Sequence, residues 1–206
     1  MDDNLTFFMK SFGMRMRNAG RVLINGYKSA LSLNPEGAVE IYKDMGTSYE
    51  QQGNYSQAVD MLTKAAEHAP DDAEIHTLLG RAHLAQKHLP QAQEEFEKAV
   101  ALSPDADLYT ELAKIYAHLE QPAKAIAALK KGLAANPTSP DIHYQMGLAY
   151  DKKKDYPKAV SEFKQAIEIS PQNAHYHFSL GFTLDSKGDR EEALDVFKKA
   201  VALENK

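Results

Sequence analysis

A repeat of 33 or 34 residues constrains the fold of this chain more than any other feature of its sequence. Four segments close on a proline, and the spacings along Pro70, Pro104, Pro137 and Pro171 are 34, 33 and 34 residues. In that register, three positions of every unit hold only glycine or alanine. These small residues are Gly46, Gly80, Ala113, Gly147 and Gly181; Ala58, Ala92, Ala125, Ala159 and Ala193; Ala65, Ala99, Gly132, Ala166 and Ala200. A small residue at a fixed place lets two antiparallel helices approach closely, whereas a bulky one would overpack the contact at a cost of about 1 to 3 kcal/mol.

Larger apolar residues recur between the small ones with the period of an α-helix, as at Leu62, Phe163 and Ile169, and we expect them to fill an interhelical core. Chain-breaking residues such as Gly53 and Gly188 lie midway through the units. Each unit is therefore predicted to be a helix, a turn and a second helix.

A helix pair of this length, with small residues at the crossings and a closing proline, resembles the tetratricopeptide repeat. The resemblance implies an all-α superhelix, or α-solenoid, of five helix-turn-helix repeats over residues 39–206. The units run over 39–72, 73–105 (one residue short), 106–139, 140–173 and 174–206. Residues 1–38 resemble a degenerate leading repeat, with Lys10 and Ser11 where an apolar and a small residue are expected.

The charge of the chain is unevenly distributed. Residues 1–34, the head, carry five cations and two anions, a balance of +3, so the rest of the chain holds -8 of the total of -5. A basic head can steer onto an acidic surface, either another copy of the chain or an anionic membrane. Alternatively, it is an ordinary amphipathic helix with a solvated basic face. The acidic total argues against nucleic acid as a partner, because affinity for nucleic acid depends on clustered lysine and arginine.

The sequence offers no chemistry for catalysis. It has no cysteine, which excludes thiolate metal sites and a cysteine nucleophile. The segment from Gly20 to Ser29 fails as a phosphate-binding loop, since five residues separate its glycines and Tyr27 stands before the lysine. Three histidines, His76, His143 and His177, share one repeat position, which favours packing over metal binding. We expect a non-enzyme that uses no cofactor and no metal.

The repeat family implies a concave groove lined by the first helix of each unit. Its candidate binding residues are Lys43, Thr47, Arg81, Lys114, Tyr144, Leu148, Asp151, Phe178, Phe182 and Asp185. Tyr144, Leu148, Phe178 and Phe182 predict an apolar patch of the kind that marks an interaction site, unless they pack within the superhelix. Thr47 replaces the asparagine with which related repeats clamp chaperone tails, which argues against that ligand.

The head supplies an apolar and basic complement to the groove. The candidate residues for self-association are Phe7, Phe8, Phe12, Arg15, Arg17 and Arg21. We expect the head of one copy to dock in the groove of another, a contact that builds homo-oligomers. The alternatives are a soluble monomeric adaptor that holds a client peptide, and a head that lies on anionic lipid. Because no polar capping helix follows residue 203, we also expect Leu194 and Val201 to be exposed.

The basic leading unit followed by GYKSALSLNPEGAVEIYKDMG and GNYSQAVDML resembles the magnetosome-associated family of these repeat proteins in magnetotactic bacteria. The resemblance implies a cytoplasmic scaffold that coats the magnetosome membrane, assembles through its leading unit and recruits other magnetosome proteins through its groove and convex face. Lys43 matches a basic groove position of that family. The acidic start, and the lack of any apolar stretch near the roughly 20 residues that span a bilayer, predict no signal peptide and no membrane span.

Overall fold

The computed structural model describes residues 35–205, and in that part of the chain every regular element is an α-helix. The helices are α1 Pro35–Gln51, α2 Tyr55–His68, α3 Ala73–Ala85, α4 Leu89–Leu102, α5 Ala106–His118, α6 Pro122–Ala135, α7 Pro140–Lys152, α8 Tyr156–Ile169, α9 Ala174–Lys187 and α10 Arg190–Glu204. They form five antiparallel pairs, and each helix packs mainly against helices one or two places away in sequence. The predicted all-α solenoid is confirmed. The leading repeat predicted upstream falls on residues that lie outside the described range.

The turn inside each pair has the same backbone conformation. One residue in each of these turns has a positive φ: 73° at Gly53, 62° at Lys87, 57° at Glu120, 60° at Lys154 and 102° at Gly188. The next residue donates its backbone N–H to the carbonyl five positions before it, as Asn54 does to Tyr49 over 2.8 Å. This is the hydrogen bond that ends a helix with a left-handed residue. The turns at Gly53 and Gly188 were predicted, whereas three others use lysine or glutamate.

The first helix of a pair begins differently from the second. Side chains of Asp72, Asp105, Ser139 and Asn173 accept backbone N–H bonds at the starts of α3, α5, α7 and α9. Each such bond satisfies donors that the first turn of a helix leaves free. At the starts of the second helices, no side chain makes an equivalent bond. Polar residues between pairs therefore set where each new pair starts.

Small residues lie where the helices of a pair cross. Ala58, Ala92, Ala159 and Ala166 are fully buried, and Leu62 and Phe163 occupy the predicted core, with exposures of 0% and 1%. Ile169 was expected in the core as well, but it is 40% exposed. It is the last residue of α8.

Candidate functional site

The first basic residue of the predicted groove, Lys43 on α1, is held in a network of carboxylates. Its Nζ donates to Oε2 of Glu74 on α3 over 2.5 Å and lies 3.6 Å from carboxylate oxygens of both Asp72 and Glu40. Only 14% of the side chain is exposed. The hydrogen bond to the Glu74 carboxylate raises the pKa of Lys43, and burial opposes that shift. Lys43 therefore joins the first pair to the second.

Lys114 on α5 makes a similar but looser connection. Its Nζ donates to Oε1 of Glu111 over 2.9 Å and lies 3.9 Å from Asp141 at the start of α7. Burial lowers the pKa of Lys114, but the bond to Glu111 and the nearby charges of Asp141 and Asp107 outweigh it, so the net shift is upward. Arg81, the third predicted cation, is exposed. It makes no ion pair with any residue from 35 to 205. Among the three, it is the cation best placed to meet a ligand.

The predicted acidic residues lie further along the row of first helices. Asp151 on α7 accepts a hydrogen bond of 2.8 Å from the buried hydroxyl of Thr183 on α9. Asp185 is exposed, and its carboxylate lies 3.9 Å from Nε of Arg190. Lys43, Lys114 and Asp151 thus all contact the following pair, and carboxylates neutralise part of the charge of the two lysines within the array.

Two of the four residues of the predicted apolar patch are largely covered. The ring of Tyr144 lies 4.9 Å from that of Tyr176 and 5.8 Å from that of Phe163. Phe178 is half-buried and lies 6.4 Å from the ring of Phe197. For these two residues the alternative of packing within the superhelix applies, because neighbouring helices supply aromatic partners. Leu148 and Phe182 are exposed, at 38% and 64%.

Phe182 also belongs to a second exposed apolar surface, the open face of the last pair, which we define as Phe182, Leu194 and Val201. Leu194 and Val201 are 56% and 49% exposed, as predicted. The corresponding residues one pair earlier, Val160 and Ile167, are half-buried against the core. The difference arises because no described helix follows α10, whereas α9 covers the face of α8.

The histidines that share one repeat position have structural roles. His76 is buried, with Nδ1 2.6 Å from Oε2 of Glu95 and Nε2 2.7 Å from the carbonyl oxygen of Pro70. His143 lies 2.8 Å from Glu162, and Nε2 of His177 lies 3.0 Å from the carbonyl oxygen of Pro171. Across the described range, no three potential metal-ligating side chains come together. These rings pack the pairs, as the sequence predicted.

The head residues Phe7, Phe8, Phe12, Arg15, Arg17 and Arg21 fall outside the described range. Sequence reasoning missed Glu74 as the partner of Lys43 and Thr183 as the partner of Asp151. The repeat spacing could have indicated both partners, because each lies on the first helix of the following pair, 31 or 32 residues further along the chain. Within residues 35–205, no helix has the length and apolar character needed to cross a membrane.

Comparisons with known proteins agree with this architecture. Models described as tetratricopeptide repeat match residues 27–82, 49–115, 83–149 and 116–180, and a further one matches residues 174–206. A structure described as MamA protein is similar with a TM-score of 0.78 and 28% identity, over 82% of this chain and 92% of that one. MamA 41-end from Desulfovibrio magneticus RS-1 is similar with a TM-score of 0.77 and 25% identity, over 82% and 96% of the two chains.

Two other similarities are more limited. YrrB, described as a repeat protein with an unusual peptide-binding site, shares the fold with a TM-score of 0.74 and 24% identity, over 86% of this chain and 91% of that one. Protein IFIT1 homolog B of Homo sapiens is 28% identical over 130 residues, which is 59% of this chain. The chain spans only about a quarter of the length of that human protein, since the match covers 27% of it.

Proposed function

Since the chain belongs to the tetratricopeptide-repeat family, whose stacked pairs form extended concave surfaces that bind proteins, we propose that it is a self-assembling scaffold that recruits partner proteins. In this proposal, the head of one copy docks in the groove of another. The similarity to MamA structures supports placing the scaffold as a coat on the cytoplasmic face of the magnetosome membrane. The chain would then act as a binding surface and not as an enzyme.

One observation carries the self-assembly proposal: the exposed apolar part of the groove lies beside an exposed acidic side chain. Leu148 and Phe182 are exposed, and Asp185, three residues after Phe182, is exposed as well. The head combines phenylalanine with arginine and carries a balance of +3. Aromatic side chains of one copy can bury against Phe182 while the arginines approach Asp151 and Asp185. Such complementarity favours association and fixes its direction.

The open face of the last pair offers a second surface for assembly. Leu194 and Val201 stand at positions that one repeat presents to the next, since their equivalents Val160 and Ile167 are half-buried, and exposed apolar residues mark contact sites. Contacts through different surfaces on the two copies are heterologous, so they produce rings or open arrays.

Size measurement of matched variants tests the proposal. Full-length protein should form concentration-dependent oligomers, and protein lacking residues 1–34 should be a monomer. Reversing the charge of Arg15, Arg17 and Arg21 to glutamate should dissociate the oligomers, and adding Asp151→Lys with Asp185→Lys should restore them. Lys198→Glu is the control, because it reverses an exposed charge on α10 outside the groove. Oligomers that persist without the head would exclude head-to-groove docking.

A client-binding adaptor is the second candidate, and the exposed pair Leu148 and Phe182 favours it, because a groove with such anchors can also hold a peptide. A full-length protein that is monomeric at every concentration would support this candidate. Peripheral membrane contact is a separate question, tested by sedimenting full-length and head-deleted protein with vesicles of anionic lipid. Binding that requires the head would assign the contact to it.

A further inference from the structure

A cleft lies where the second helix pair meets the third. The cleft has a volume of about 530 Å³ and opens between α4, α5 and α6. Its floor is apolar, formed by Val100, Ala101, Leu112, Ala127 and Ala128. Its volume is in the range that binds ligands.

The cleft exists because the third pair lacks a contact found in its neighbours. In the second and fourth pairs a histidine contacts a glutamate 19 residues later, His76 with Glu95 and His143 with Glu162. The same two positions in the third pair hold Tyr109 and Ala128. An alanine cannot reach the ring, so the space that the glutamate fills elsewhere is left open. The linker before α5 is also shorter, with three residues at 103–105 where the other linkers have four.

Two lysines of α6 stand over two tyrosines of α5 at opposite ends of the cleft. Nζ of Lys124 lies 5.5 Å from the ring centre of Tyr116, and Nζ of Lys131 lies 5.9 Å from that of Tyr109. The two lysines are seven residues apart on α6, and the two tyrosines are seven residues apart on α5. Seven residues correspond to about 10.5 Å along a helix. The contact of Lys131 with Tyr109 has an equivalent in the first pair, Lys64 over Tyr42. The contact of Lys124 with Tyr116 has one in the fourth pair, Lys158 over Tyr150. Only the third pair, among those described, combines both.

The charges of these lysines are not neutralised by residues 35–205. In the fourth pair, Lys158 donates to Asp155 over 2.6 Å, but the position equivalent to Asp155 in the third pair is Gln121. Helix α6 carries Lys124, Lys130 and Lys131 and is the one described helix without aspartate or glutamate. In a body that is acidic as a whole, this helix is a local basic surface.

One carboxylate, that of Glu97, lies in the cleft wall, and it is already satisfied. Its Oε1 accepts hydrogen bonds from the Tyr116 hydroxyl over 2.6 Å and from Nε2 of Gln93 over 2.8 Å. Burial, together with this bond, raises the pKa of Tyr116 far above its ordinary value, so the phenol keeps its proton and continues to donate. These bonds hold the Glu97 carboxylate against the wall, and Lys124 and Lys131 supply the positive charge at the two ends of the cleft.

We propose that this cleft binds an extended acidic peptide of a partner protein, with one apolar side chain on the floor and a carboxylate at each end paired with Lys124 and Lys131. Carboxylates about 9 Å apart on one side of a peptide come from residues three positions apart in the extended polyproline II conformation, which has three residues per turn and rises about 3.1 Å per residue. The site is separate from the predicted groove. Tyr109, Leu112 and Tyr116 lie about half a turn around α5 from the groove positions Asp107, Lys114 and His118, given 3.6 residues per turn.

Fluorescence polarisation with the full-length protein tests the proposal. The probe is a short labelled peptide with two aspartates three positions apart and a leucine between them. It should bind saturably, and Lys124→Glu with Lys131→Glu should weaken binding at least about tenfold, since both charge pairs become repulsive. The control, Lys130→Glu with Lys199→Glu, changes the net charge equally at exposed lysines outside the cleft and should leave binding within about twofold.

Two further comparisons separate this cleft from general attraction between charges. Ala101→Phe places a ring on the cleft floor without altering charge and should also weaken binding, with circular dichroism confirming that the variant is folded. A peptide of the same composition with adjacent aspartates should bind more weakly. The proposal is overturned if the probe does not bind, if the cleft and control double variants behave alike, or if the two peptides bind equally.

Discussion

The ring of Phe96 on α4 lies against the backbone of Gly80 on α3, so that a β-carbon added at Gly80 would be 2.7 Å from Cδ2 and Cε2 of the ring. The same relationship joins Gly147 to Phe163 and Gly181 to Phe197. In the third pair the corresponding positions hold Ala113 and Leu129, both buried. In the first pair a leucine faces a glycine, and a β-carbon at Gly46 would lie 2.5 Å from Cγ of Leu62. A ring therefore always faces glycine in these pairs, whereas leucine occurs opposite either glycine or alanine.

This relationship predicts a compensating pair of substitutions. Gly80→Ala should lower the free energy of unfolding by about 1 to 3 kcal/mol, because the ring of Phe96 cannot move freely in a packed core. Adding Phe96→Leu should recover part of that loss, since it recreates the combination of the third pair. Urea denaturation of the two single variants and the double variant measures the coupling. Purely additive losses would show that the two residues do not compete for the same space.

His76 should stabilise the second pair through its two hydrogen bonds. Replacing it with phenylalanine keeps a ring but leaves the half-buried carboxylate of Glu95 with Lys98 as its remaining ionic partner. We expect a loss of about 1 to 3 kcal/mol, the usual penalty for a poorly satisfied buried polar group. His175→Phe, at an exposed position two residues before His177, is the control. Equal thermal midpoints for the two variants would contradict the assignment.

The left-handed turn at Lys87 should be improvable. A side chain costs about 1 to 2 kcal/mol in that conformation and glycine avoids the cost, although glycine also loses more backbone entropy on folding. Lys87→Gly should therefore raise the free energy of unfolding by up to about 1 kcal/mol. Lys153→Gly is the opposite case. Lys153 follows the last residue of α7 and has a φ of -79°, so replacing it with glycine should lower the free energy of unfolding. Chemical denaturation of both variants would show whether the sign of the change in unfolding free energy follows the sign of φ at the substituted residue.

The network around Lys43 predicts a dependence of stability on alkaline pH. Hydrogen bonding to Glu74 raises the pKa of Lys43 above its ordinary value of 10.5. Its contribution should be complete below pH 10.5 and should disappear as the pH rises through the higher value in the folded protein. The difference in unfolding free energy between wild type and Lys43→Met should therefore shrink at alkaline pH. Lys130→Met, which removes an exposed lysine, is the control.

The sequence was most informative where a feature recurs in every pair. Glycine and alanine return at the same three places because every crossing imposes the same steric limit, so Gly80 and Ala92 could be placed without coordinates. Phe96 as the cause of the limit at Gly80 could not, since the pattern shows which residues are small but not what faces them. The repeated small residues predict that the helices pair, whereas the side chains that face them are known only once the helices are packed.

The candidate site was predicted less well because it depends on how successive pairs stack. Lys43 was placed among the basic residues of the groove, and the sequence pattern did not indicate that Glu74 from the next pair neutralises part of its charge. Tyr144 was expected to be exposed, but Tyr176 of the next pair covers it. Exposure along the groove is set jointly by two pairs, so a pattern read one unit at a time predicts it poorly. Leu194 and Val201 were predicted correctly because, within residues 35–205, no helix follows α10 to cover them.

Packing between near neighbours in sequence has a consequence for how the molecule loses and gains structure. Since no strong contact ties α1 or α2 to α9 or α10, opening at one end need not disturb the other, and amide protons should exchange faster toward the ends than at the centre. The same locality makes the array divisible. Excising one complete pair would bring equivalent junctions together and leave a shorter array with the same rise and turn.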